Sequence, residues 1–237
     1  MRRTAILAAM VALLLPMTSC FIRINDDTIR KWNANHVTAS GVMASERRSL
    51  DSFEDLSLQG SLDVRFIQAD VDPFMEITIS DNILPYLKTE VTDGTLSVRF
   101  HSDSLSSFSL GEHSITLYAP DLASVTILGS GDFGCDGLST DKDFSITLMG
   151  SGDMDLKGLR CDSLGITIAG SGDIKADAQV QRGVAVSIAG SGDVKLSGKA
   201  ESADYSIAGS GDIDVRNLEV SGNVSQSVRG SGDILSH

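Results

Sequence analysis

The sequence predicts an all-β chain wound as a parallel β-solenoid, with coils of about 20 residues and less regular strands toward the N-terminal end. Three observations predict it. The tetrapeptide Gly-Ser-Gly-Asp begins at Gly129 and recurs at Gly150, Gly170, Gly190, Gly209 and Gly230, at intervals of 21, 20, 20, 19 and 21 residues. Its flanks alternate apolar and polar residues with the period of a strand. The chain's four prolines all lie at or before Pro120, so nothing of that kind interrupts a sheet in the repeated half.

The register can be read column by column. Four and two residues before each repeat stand Val125/Ile127, Ile146/Leu148, Ile166/Ile168, Val186/Ile188, Tyr205/Ile207 and Gln226/Val228. Four residues after its first Gly stand Phe133, Met154, Ile174, Val194, Ile213 and Ile234. Six after it stand Cys135, Leu156, Ala176, Leu196 and Val215. Each unit thus has one strand entering the tetrapeptide and one leaving it. Phe144, Leu164, Val184, Ala203 and Val224 mark a third short apolar element. A unit this small cannot bury its own apolar face, whereas stacked copies can. Coils at the strand spacing of about 4.8 Å would run roughly 25–30 Å for six. An antiparallel sandwich with hairpins at the repeat is the alternative. It fits less well, because the same register recurs in every unit while hairpin strands would alternate direction.

The tetrapeptide reads as a corner. Its glycines permit backbone conformations that other residues avoid. Its aspartate can accept hydrogen bonds from turn amides that stacking would leave unpaired. Every coil needs a corner, whereas a catalytic site is needed once. The competing reading is calcium, since Asp132, Asp153, Asp173, Asp193, Asp212 and Asp233 would stack in one column and repel unless compensated. The pattern departs from the nine-residue calcium-binding repeat of secreted toxins, so no cofactor is expected and calcium is the alternative. Cys135 falls in an apolar column and reads as a small buried hydrophobe. Cys161 lies elsewhere in its coil, and no disulfide is expected.

Composition bounds the function. Of 237 residues, 41% are hydrophobic but only 5% aromatic, which suits uniform strand layers. The net charge of −13, without any basic cluster in the repeats, excludes a nucleic-acid partner. The histidines, His36, His101, His113 and His237, are scattered and suggest neither a triad nor a zinc site.

The N-terminus carries an export address. Arg2 and Arg3 precede an apolar run, Ala5–Leu15, too short to span a bilayer comfortably. Met17-Thr18-Ser19-Cys20 resembles a bacterial lipobox, although Met17 stands where Leu is usual. That resemblance implies a lipoprotein signal over residues 1–19 and lipid attachment at Cys20, giving a stable membrane anchor. The exported part then has 17 basic and 32 acidic residues, a net charge of −15. Residues 20–46, with the only tryptophan at Trp32, read as a flexible tether. Asn25–Asp27 weakly resembles the acidic surface-export signals of Bacteroidetes lipoproteins, and ordinary linker polarity is the better reading. The solenoid domain follows at 47–237, irregular over 47–118 and repeated over 119–237.

Within 47–118, Gly60-Ser61-Leu62-Asp63-Val64 is a degenerate copy of the repeat, Pro85 breaks a strand region, and Asp93-Gly94 marks a turn. Phe53–Val64, Asp93–Val98 and Ala119–Asp132 with the following repeats resemble the bacterial DUF2807 family, described as "putative auto-transporter adhesin, head GIN domain". The resemblance covers about 47–237. It implies a right-handed β-helix and no established activity, and it brings no site residues. The function expected is that of a lipid-anchored, non-enzymatic envelope protein of the outer membrane, an adhesin or surface-binding module for a glycan or protein. A polysaccharide-active β-helix enzyme and a structural component that self-associates through an open coil end are the alternatives.

Overall fold

The structure is a computed structural model and describes residues 36–101 and 107–237, which fall within one compact unit. The proposed signal, Cys20, Asn25–Asp27 and Trp32 lie outside the described residues. The tether expected over 20–46 needs correction at its end: the chain is already strand at β1 (His36–Thr38) and β2 (Met43–Ser49). Burial explains β2, whose alternate residues are half-covered because it pairs antiparallel with β5 (Phe74–Ser80).

The rest of the irregular half is β3 (Asp55–Gly60), β4 (Val64–Gln68), β6 (Leu87–Thr92), β7 (Thr95–Phe100), β8 (Ser107–Ser109) and β9 (Ser114–Ala119). The break expected at Pro85 is a 3-10 turn, Leu84–Tyr86, with Pro85 inside it. Asp93 (φ 50°) and Gly94 (φ 78°) form the tight turn joining β6 to β7, as the sequence led us to expect. The repeated half enters its corners through β10 (Ser124–Gly129), β12 (Phe144–Gly150), β14 (Leu164–Gly170), β16 (Gly183–Gly190), β18 (Ser202–Gly209) and β20 (Val224–Gly230). It leaves them through β11 (Phe133–Asp136), β13 (Met154–Cys161), β15 (Ile174–Val180), β17 (Val194–Ala200), β19 (Ile213–Val220) and β21 (Ile234–Leu235).

All the entering strands form one sheet and all the leaving strands another, and strands of successive coils pair parallel. This is a parallel β-solenoid with two strands per coil. The register is the one read from the sequence: Ile146, Ile166, Val186 and Tyr205 stand in line, as do Met154, Ile174, Val194 and Ile213. The third apolar element is not separate. Phe144, Leu164, Val184, Ala203 and Val224 begin the entering strands, because those strands run longer than the alternation alone suggested. The two inner faces meet in a single apolar core that continues from Leu56 and Phe66 to Ile207 and Ile213.

The irregular half departs from chain order. β3 and β4 form a true coil, aligned with β10 and β11, and Gly60 lies opposite Gly129. The chain then runs to the far end of the stack, where β5 and β6 lie antiparallel to β9 and β7. β7 and β9 fill the level between that end and β3/β4. Only afterwards does the chain cross to the other side of β3/β4 and begin the regular winding.

Candidate functional site: the aspartate corner and the opposite groove

The glycines are required by stacking more than by turning. Gly150 has φ 153°, a region closed to L side chains, and a Cβ there would collide with the carbonyl oxygen of Gly129 in the coil beneath. Gly152 needs no unusual φ, yet a Cβ on it would strike the Gly131 carbonyl. Each coil therefore presses backbone on backbone at this corner. The first coil supplies the control. Gly60 has nothing beneath it, and the position of the second glycine is filled there by Leu62, which is buried in the core.

This close approach pairs the backbone between coils. The Ser151 amide donates to Gly129 O at 2.9 Å, and the same bond recurs from Ser171, Ser191, Ser210 and Ser231. The aspartates complete it. The amide of Asp153 donates to Oδ1 of Asp132 at 2.8 Å, Asp173 to Asp153 at 2.9 Å, and Asp193 to Asp173 at 2.8 Å. Asp212 donates to Asp193, and Asp233 to Asp212, each at 2.8 Å. Each carboxylate up to Asp212 thus takes the amide of the next aspartate. The repulsion that the sequence raised is offset at every step by a donor that would otherwise be unpaired.

The ladder starts one coil earlier than the repeats reveal. Asp132 N–H donates to Oδ1 of Asp63 at 3.0 Å, and Asp63 N–H donates to Nε2 of His113 at 3.1 Å. Since Nε2 accepts, the ring proton sits on Nδ1 and faces Gly111 O at 3.2 Å. Sequence reasoning left His113 among scattered histidines, because 50 residues separate it from Asp63. The degenerate Gly60–Val64 copy was the available signal for Asp63 itself. Among the described residues, no three His, Cys, Asp or Glu side chains are grouped to hold a metal ion. Cys135 and Cys161 are both free and buried; desolvation pushes their thiols up to about 12 and about 11.

On the opposite corner, where leaving strands turn back into entering ones, lies an open groove of about 720 Å³. Three columns line it across five coils: Asp143, Ser163, Gly183, Ser202 and Asn223; then Phe144 to Val224; then Ser145, Gly165, Ala185, Asp204 and Ser225. Arg182 on its rim pairs with Asp143 at 2.8 Å and Asp162 at 2.9 Å. The outer face of the leaving sheet carries a mixed column, Asp155, Lys175, Lys195 and Asp214. Arg216 hydrogen-bonds Asp214 and holds its carboxyl below the usual range. These charges balance one another as a solvated surface does.

A repeated corner, a continuous two-sheet core and a groove that crosses coils define a parallel β-solenoid repeat protein. The DUF2807 family model, "putative auto-transporter adhesin, head GIN domain", matches residues 52–185 and 166–236, and the chain belongs to this family. Solved structures share the fold. One from Parabacteroides distasonis ATCC 8503, described as a "putative lipid binding protein", is 23% identical with a TM-score of 0.71, over 85% of this chain and 99% of its own. A "putative adhesin" from Bacteroides fragilis NCTC 9343 is 24% identical with a TM-score of 0.70, over 85% and 100%. Another from Parabacteroides merdae ATCC 43184 is 20% identical with a TM-score of 0.52, over 86% and 99%. No curated protein matches the chain.

Proposed function

We propose that the protein is a non-enzymatic surface-binding module of the cell envelope, an adhesin held to the outer membrane by a lipid on Cys20, which binds an extended glycan or protein along its groove. One observation carries the binding reading. The groove aligns equivalent positions coil after coil, over five coils, and fills them mostly with short side chains, hydroxyls among them at Ser145, Ser163, Ser202 and Ser225. At about 4.8 Å per coil it offers a linear ligand contacts at a regular spacing along the solenoid axis. Family membership supports an adhesive role in the envelope. The aspartate column, the most conspicuous set of carboxylates, is engaged by backbone amides, which favours a binding reading over acid–base chemistry.

The test is binding of the full chain to immobilised envelope polysaccharides and host-surface proteins, with Ala185→Trp as the blocking variant. Ala185 is exposed in the middle of the groove, so the substitution fills it without disturbing the core. Loss of binding with an unchanged melting temperature is the expected result. A ligand held equally well by the variant would move the site elsewhere. Growth with an alkynyl fatty acid should label the parent chain and leave Cys20→Ala unlabelled; label on both would sink the anchor.

A further inference from the structure

We infer that the β20 end of the solenoid is a two-fold interface, on which β20 of a second copy pairs antiparallel with β20 of the first. Every residue of β20 is exposed, and among the described residues it pairs only with β18. Its inward positions continue the core columns: Val224 follows Ala203, Gln226 follows Tyr205, and Val228 follows Ile207. Val224 and Val228 are nonetheless 48% and 43% exposed. Beside them lies a recess of about 660 Å³ lined by Leu218, Val220 and Gln226. Tyr205 also lines it, and its buried hydroxyl has no hydrogen-bond partner.

The occupant is argued from the strand itself. In a protein of net charge −13, residues 222–237 hold one arginine and one aspartate. β20 carries a single charge, Arg229, and neither proline nor bulge, so it has few of the devices that usually keep an edge strand unpaired. The edge strands at the other end carry them: Glu46, Arg47 and Arg48 on β2, Lys88 and Glu90 on β6. Antiparallel pairing centred on Gln226 sets Val224 against the partner copy's second inward valine, Gln226 against its own equivalent, and serine against serine. No like charges meet, and both apolar positions are covered. The rotation maps the same patch onto itself, so the contact is closed and isologous.

The experiment compares the full chain with Gln226→Glu and Gln226→Cys by light scattering and mild oxidation. Gln226 is exposed, and folding is checked by melting temperature. The parent should be a concentration-dependent dimer. Gln226→Glu should weaken it several-fold by facing two carboxylates, and Gln226→Cys should cross-link to itself where the parent, which retains Cys20, does not. A monomer at all concentrations, association indifferent to Gln226→Glu, or open-ended growth would each overturn the inference.

Discussion

The two ends of this solenoid are built from the same coil and finished differently. At one end, β5 and β6 reverse direction and β2 adds a charged edge, so the sheets stop in antiparallel strands. At the other, β20 and β21 repeat the coil once more and leave its inner face open. The aspartate ladder shows the same polarity. It starts on an imidazole that accepts the Asp63 amide, and Asp233 is its last rung, accepting no amide among the described residues. Regular winding specifies the interior of the stack and says nothing about how to end it. Ends need residues outside the repeat.

The sharpest way to break the comparison is at the stacked glycines. A Cβ on Gly172 or on Gly232 meets the carbonyl of the coil beneath, at Gly152 or Gly211. Gly172 is clamped between coils on both sides, whereas the coil of Gly232 is free to lift. Gly172→Ala should therefore cost more than about 4 kcal/mol, or abolish folding. Gly232→Ala should cost about 1–2 kcal/mol by fraying the last corner. Chemical denaturation measures both; equal losses would show that the glycines serve turning rather than stacking.

Alkali probes the core of the repeated half, where the described thiols lie. Burial raises Cys135 from 9.0 to about 12 and Cys161 from 9.0 to about 11, and desolvation likewise lifts Tyr205 to about 12. Groups whose folded pKa is raised hold their proton more tightly in the native state. Their contribution is whole below the unfolded pKa and is lost as pH climbs toward the folded one. Stability should fall from about pH 9 upward, by roughly 1.4 kcal/mol per pH unit for each thiol. A Cys135→Ala, Cys161→Ala chain should lose most of that slope in denaturant titrations at pH 8 to 10.5. An unchanged slope would place the alkaline sensitivity elsewhere.

How far the sequence could be read follows from the same contrast. The repeated half was legible residue by residue, because coil register is a translation along the chain: Val186 stands over Ile166 since 20 residues separate them. The irregular half was legible only locally, in the Asp93–Gly94 turn and in Gly60–Val64. That β7 and β9 slip between β3/β4 and the end of the stack is a choice of spatial order, and no local spacing encodes it. His113 was hidden for that reason, since only the swap brings it to Asp63. Leu62 seemed a defect in the repeat. It is admitted because no corner presses on it from below, a fact about neighbours rather than about the tetrapeptide.

The smallest effect sharpens the comparison at the ladder. Asp173 accepts the Asp193 amide at 2.8 Å, so Asp173→Ala leaves that donor to whatever water reaches the corner. Loss of a charged acceptor at an exposed backbone amide costs about 1 kcal/mol, by analogy with helix caps. Asp173→Asn keeps an acceptor oxygen and should recover about half. Asp233→Ala removes no such bond and should change the melting temperature by less than the error of a duplicate. Calcium and chelator should leave all four chains unchanged, because an amide already partners every carboxylate of the column except that of Asp233. A calcium-dependent rise that disappears in Asp173→Ala would instead assign the column to a cation, and the corner would then be a binding site rather than the seam between coils.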